Sequence, residues 1–202
     1  KGMVNFPLIE DKLAVRAVAL QRRDAGYLDN VRTGVEDSND LTTTGARISA
    51  VYAPSETTKL SWLSLYQETH LEDQTYATLP TLTRDTYVAE PHKTEMLLNS
   101  LRWDQDLGFG SLTVLGAIAD KESTIVFDYT NSFGPTYLAG NSTAGEGEAD
   151  SKTRNIEVRL SSNGESRVGW IVGAMYLESE KDSVDNIGQE GAAAYIDANP
   201  AL

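Results

Sequence analysis

Apolar residues take alternate positions over stretches of about ten residues, and polar connections of two very different lengths separate those stretches. Short connections fall at Ile9–Lys12, Pro54–Lys59, Asp106–Gly110 and Ser162–Ser166. Long ones fall at roughly Arg23–Thr43, Glu68–Thr94 and Thr130–Lys152, and in the acidic tail after Leu177. Because short and long alternate without exception, an up-and-down chain collects all its tight turns at one end and all its long loops at the other. That asymmetry predicts an all-β fold: an antiparallel up-and-down transmembrane β-barrel segment of about eight strands, with short periplasmic turns and long extracellular loops. Nothing obliges a soluble sandwich to gather its long loops at one end.

The strands themselves read with unequal clarity. Met3–Leu8 is the first. In the second, Leu13 to about Arg22, one face carries Leu13, Val15, Ala17 and Ala19 and the other Arg16 and Arg22. Ala46–Ala53 sets Ala46, Ile48, Ala50 and Tyr52 against Arg47 and Ser49, and Asn155–Leu160 sets Ile156, Val158 and Leu160 against Asn155, Glu157 and Arg159. Such period-two segregation puts apolar side chains toward lipid and charge toward a lumen. Met96–Asp106 directs Leu97, Leu101 and Trp103 outward and Arg102 and Asp104 inward. Leu60–Gln67 has Leu60 and Trp62 on one face but Leu63 and Leu65 on the other, so its pattern identifies no lipid face. Ser111–Ala119, prolonged by Lys121–Tyr129 beyond the membrane, and Val168–Leu177 complete the set. Tyr52, Trp103 and Trp170 each lie within about three residues of a short turn, where an interfacial aromatic girdle is expected.

Composition narrows the classes. The chain has 202 residues, a formal net charge of -13 and no cysteine. No run approaches the roughly 18 consecutive apolar residues of a membrane-spanning helix. A disulfide scaffold and a thiolate metal site are excluded. Nucleic acid is an unfavourable partner, because phosphate neutralisation needs clusters of Lys and Arg. The chain opens at Lys1-Gly2 without a leader, and the stretch from Ala192 to Leu202 reads as loop, so both ends are expected to be cut.

Several segments, taken in order, resemble TonB-dependent outer-membrane receptors. Asn5-Phe6-Pro7-Leu8-Ile9-Glu10-Asp11-Lys12-Leu13-Ala14-Val15-Arg16 is similar to an early barrel hairpin of that family, and Arg22-Arg23-Asp24-Ala25-Gly26-Tyr27-Leu28-Asp29-Asn30 to the segment that follows it. Asn39-Asp40 with Thr44-Gly45-Ala46-Arg47 resembles the entry to the next strand. Asn155-Ile156-Glu157-Val158-Arg159-Leu160 and Trp170-Ile171-Val172-Gly173-Ala174-Met175-Tyr176 resemble two later strands. The resemblance implies that residues 1–202 are a partial β-barrel domain of a larger receptor in the bacterial outer membrane. Such receptors have about 22 strands and a plugged lumen, so the plug and the C-terminal strands would lie outside this chain. It further implies energised import of a scarce small-molecule nutrient such as a ferric siderophore, cobalamin or oligosaccharide. The implied partners are the TonB complex, reached through the absent plug, and outer-membrane lipid and lipopolysaccharide.

The chemistry-bearing residues are few. Arg16, Arg47, Arg102 and Arg159, with Asp104 and Glu157, are the inward-facing charges. They line a lumen and touch plug or substrate, or they satisfy one another as lumen ion pairs. His70 and His92, in one long loop with Glu68, Glu72, Asp73 and Glu90 nearby, have ligand-competent side chains but match no metal-site spacing. Glu36-Asp37-Ser38-Asn39-Asp40 lacks the glycine and the distant glutamate of a calcium loop and reads as solvated loop, as do Glu146, Glu148 and Asp150. Divalent cations would be the means by which such loops bridge to lipopolysaccharide. Asn141-Ser142-Thr143 matches a glycosylation triplet that carries little meaning in this setting. The sixteen glycines are expected at turns and loop tips. No catalytic motif, metal site or cofactor motif is present. Two rivals remain. One is a self-contained eight-stranded barrel acting as an anchor or adhesin. The other is an outer-membrane lipase or protease, for which only His70 and His92 would serve as the base.

Overall fold

The computed structural model describes residues 1–133, 142–164 and 168–189. They form a single antiparallel sheet of eight strands in sequence order. The strands are β1 (Gly2–Ile9), β2 (Leu13–Asp24), β3 (Leu41–Ser55), β4 (Thr58–Leu71), β5 (His92–Asp106), β6 (Gly110–Asp128), β7 (Thr143–Ser162) and β8 (Ile171–Gln189). One helical turn, α1 (Thr130–Phe133), follows β6. Each strand pairs with its chain neighbours, and β1 and β8 do not pair with each other, so the sheet is open. None of the described helices is long and apolar enough to cross a membrane, which says nothing of strands.

The tight turns are built by local chemistry. Asp11 takes a left-handed backbone (φ 56) between β1 and β2, a conformation its short polar side chain tolerates, while the Lys12 amide donates to the Ile9 carbonyl at 3.1 Å. Between β5 and β6, Gly108 (φ 81) accepts a conformation that a side chain would disfavour, and its amide donates to Asp106 Oδ1 at 2.8 Å. The connections at the other ends, 25–40 and 72–91, are long.

Register decides which residues share a face. Directly opposed residues of an antiparallel pair point to the same side. On one side this gives Val4 and Phe6, Leu13 to Ala19, Ala46 to Tyr52, Leu60, Trp62 and Tyr66, Leu97, Leu101 and Trp103, Leu112 to Ile118, Ile156 to Leu160, and Val172 to Tyr176, taken at alternate positions. These form an apolar belt next to the short turns. Leu63 and Leu65 turn to the opposite face, which settles the ambiguity of that strand. The belt is not a core: Leu101 is 53% exposed and Ile156 50%. Leu28 is the one buried apolar residue among the described residues, and it lies in a loop.

The belt ends abruptly toward the long loops. The cross-strand row Ala19–Ala46–Tyr66–Leu97 is apolar, and its continuation Asp120–Lys152–Glu180 is charged. On β6 to β8 the belt stops lower, at Ile118, Ile156 and Tyr176, and it also starts lower, at Leu112, Leu160 and Val172. Both edges therefore descend in the same sense across the sheet.

β6 ends at Asp128, as its expected prolongation over Lys121–Tyr129 requires, and every other strand runs further toward the long loops than hydrophobic alternation predicts. His70 and His92 are not loop residues: they end β4 and begin β5, on opposite faces. Glu146, Glu148 and Asp150 lie in β7, and the segment after Leu177 continues β8 to Gln189. The cause is that above the belt no face is continuously apolar, so strands there consist mostly of Thr, Ser, Gly and charged residues held by cross-strand pairing. Lys93, for example, bridges Glu95 at 2.6 Å and Glu68 at 3.4 Å. Gly45, Gly145, Gly147 and Gly188 accordingly sit inside strands and not at turns, and so do Gly116 and Gly173 at the height of the belt. At Gly145 the ring of Tyr129 occupies the space a Cβ would need. The last strand starts at Ile171, three residues later than the pattern implied. Asn141 and the stretch from Ala192 to Leu202 lie outside the described residues.

Candidate functional site

All six charged residues singled out in the sequence fall on the face opposite the belt. Arg16 opposes Ser49, Arg47 opposes Val18, Arg102 opposes Ser61, Asp104 opposes Lys59, Glu157 opposes Leu115 and Arg159 opposes Thr113. The structure then splits them into two groups. Arg102 grips Asp104 through Nε at 2.9 and 2.8 Å, and Thr113 donates to the same carboxylate at 2.8 Å. Arg159 pairs with Glu157. Arg102, Asp104, Thr113 and Arg159, with Lys59, border a groove of about 500 Å³ near the short turns. Arg16 and Arg47 stand apart. Arg16 donates from Nε to neutral Asn5 at 2.6 Å, and Arg47 has no side-chain partner among the described residues.

A second constellation, invisible as a motif, braces the long loops. Arg84 is buried and donates to Asp73 Oδ2 (2.9 Å), to Glu90, and to the carbonyls of Gln74 (2.9 Å) and Tyr76 (3.0 Å). Its guanidinium also lies over the Tyr76 ring, 4.4 Å from the centroid. Burial disfavours its charge, but the hydrogen bond to Glu90 and the nearby Asp73 carboxylate outweigh that penalty and raise its pKa. Burial, followed by the hydrogen bond to Glu90, pushes the Tyr76 phenol up to about 12. Glu90 in turn accepts from the Asp128 amide at 2.7 Å, tying this loop to the end of β6.

The 72–91 connection is joined to the 25–40 connection just as firmly. Asn30 Nδ2 donates to Thr86 Oγ1 at 2.8 Å, the Arg84 amide donates to the Asp29 carbonyl at 2.8 Å, and Arg32 pairs with Asp85 at 2.7 Å. The Glu36–Asp40 segment is part of this frame and not freely solvated. Asn39, almost fully buried, accepts the Tyr27 and Leu28 amides at 2.8 and 2.9 Å. Asp40 pairs with Arg23 and accepts the Gly26 amide at 2.7 Å, and both bonds hold its carboxyl below the usual range. These contacts draw on side chains far apart in sequence, which is why no local spacing announced them.

His70 faces Glu72 at 3.4 Å, and His92 Nε2 meets Ser123 Oγ at 3.0 Å on the other face. No group of three or more His, Asp or Glu side chains among the described residues is placed to hold a metal ion. On the belt face, the missing side chain of Gly116 leaves a groove of about 410 Å³ between Trp62, Leu101, Ile156 and Tyr176. No family model matches this chain, and no curated protein matches it.

Proposed function

We propose that this sheet is part of the wall of an outer-membrane β-barrel, and that the barrel belongs to a TonB-dependent importer of a scarce nutrient. The observation that carries the membrane reading is the exposed, one-sided, oblique belt. A soluble sheet without a core would leave this apolar surface in water, at a cost of roughly 25 cal/mol for each Å². Lipid removes that cost.

The geometry of the belt fits a flat slab crossed by tilted strands. On β5 it runs from Leu97 to Trp103, about 20 Å along the strand. From β2 to β7 its upper edge falls four residues, about 13 Å over a width of about 24 Å, a mean slope of roughly 30°. Barrel strands tilt by about 35–45°. Aromatic rings mark both edges: Tyr52 and Trp103 near the turns, Tyr66 and Tyr176 beside the charged rows. In this reading the opposite face is the lumen wall, and the framed loops are extracellular.

Open edges in lipid leave backbone groups unpaired at several kcal/mol or so each. The barrel therefore needs further strands beyond β1 and β8, which favours a large receptor over an eight-stranded anchor. Import itself is supported by the order of the resembling segments, from Asn5–Arg16 to Trp170–Tyr176.

Two measurements test the reading on the full-length receptor. In vesicles with brominated acyl chains, Trp62 and Trp103 fluorescence is expected to be strongly quenched, and unquenched emission would remove the membrane assignment. Uptake by cells is expected to vanish when TonB is deleted. Unchanged uptake would leave a barrel but not an energised importer.

A further inference from the structure

Within the height of the belt, the opposite face carries Arg16, Arg47, Lys59, Arg102 and Arg159 against only Asp104 and Glu157. That is a surplus of three positive charges in a chain whose net charge is -13. The surplus is concentrated on β2 and β3. Arg47 lies two residues along β3 from Ser49, the partner of Arg16, which makes the two arginines diagonal neighbours about 7–8 Å apart. Both side chains are exposed on one face, and neither meets a carboxylate among the described residues. The other two arginines, Arg102 and Arg159, are each neutralised within their own strand.

We propose that Arg16 and Arg47 form an oxyanion site on the lumen wall, and that the imported solute is an anion bearing carboxylate or phosphate groups. The proposal rests on the barrel reading and narrows its substrate class. Each guanidinium offers a planar fork of donors matched to a carboxylate or phosphate, and Arg16 spends only Nε on Asn5. A lumen bounded by a low-dielectric wall focuses the field of such charges, and rings of Arg and Lys favour anions in pores. A neutral oligosaccharide would gain nothing from this pair.

The same oxyanion chemistry has a second possible source, a carboxylate on a protein segment lying inside the barrel. The test separates the two. Full-length receptor in vesicles is titrated with citrate, inorganic phosphate and, as a neutral control, maltotriose. Binding of citrate or phosphate is expected, with affinity reduced roughly tenfold for Arg16→Gln and for Arg47→Gln and partly restored in the lysine variants. Maltotriose is expected not to bind. Three results would overturn the proposal: no anion binding, anion binding indifferent to both variants, or variants that lower the melting temperature without changing anion affinity. The last would assign the pair to an internal carboxylate. Lipid quenching of Trp62 and Trp103, measured on the same samples, shows whether the barrel reading fails independently.

Discussion

Replacing Leu101 by arginine puts a charge at the middle of the belt, while Ser100→Arg, one residue earlier, turns the same charge to the opposite face. Leu101 lies between Trp62 on β4 and Gly116 on β6, two residues above the turn-side edge at Trp103. A cation at the bilayer midplane of a barrel costs about 2–4 kcal/mol. Ser100 opposes Leu63 and Ala117 on the face that carries the charged residues, where a substitution outside the belt costs within about 0.5 kcal/mol. The pair is therefore expected to differ by at least about 1.5 kcal/mol, a factor of roughly 10 in the folding equilibrium. The assay is reversible urea unfolding of the full-length receptor in lipid vesicles, with unfolding free energies compared between the two variants. Equal stabilities within about 0.5 kcal/mol would refute the assignment of this face to lipid, because water on both faces makes the substitutions alike. A larger loss for Ser100→Arg would invert the assignment.

Three further outcomes are expected. Arg84→Met leaves Asp73 and Glu90 buried without their cation, a loss of about 3–5 kcal/mol of local stability; hydrogen exchange should accelerate across 72–91 while the belt strands stay protected, and uniform protection would show that Arg84 is dispensable. The Asp40 carboxyl titrates below its unfolded value, so its contribution is present above the unfolded pKa and is lost as pH falls through the folded one; proteolysis of the 25–40 connection should rise in acid, and Asp40→Asn should show that susceptibility already at neutral pH. Asn99 sits in the belt opposite Ser64 and Ile118, so Asn99→Leu is expected to stabilise the protein in lipid, and destabilisation would mean that the amide is satisfied there.

The strand faces are legible wherever one side is apolar along the strand, and illegible elsewhere. Leu13–Ala19 and Ile156–Leu160 alternate cleanly because every second side chain belongs to the belt. Thr143–Asp150 also alternates, but it sets Ala144, Glu146, Glu148 and Asp150 against Thr143, Gly145, Gly147 and Ala149, a pattern that hydrophobicity does not register. For that reason the pattern alone places His92, Glu146 and the residues after Leu177 in loops. Leu60–Gln67 was ambiguous because Leu63 and Leu65 put apolar side chains on the polar face, and only the pairing with β3 and β5 separates them. The inward charges were found as a set, but their division into neutralised and unpartnered arginines depended on cross-strand geometry. The Arg84 frame gave no signal, since its partners are brought together by the loops themselves.

The strands rise to unequal heights beyond the belt. Above its last belt residue β3 rises five residues, from Ala46 to Leu41, while β7 rises thirteen, from Ile156 to Thr143. The difference is about 27 Å along the strand. On the belt's side the taller flank carries Glu146, Glu148, Asp150, Glu178, Glu180 and Asp182 against Lys152 and Arg154, so it is net acidic. On the importer reading proposed above, that flank would repel an arriving anion, and the lower rim at β2 to β5, the side that carries Arg16 and Arg47, would be its way in.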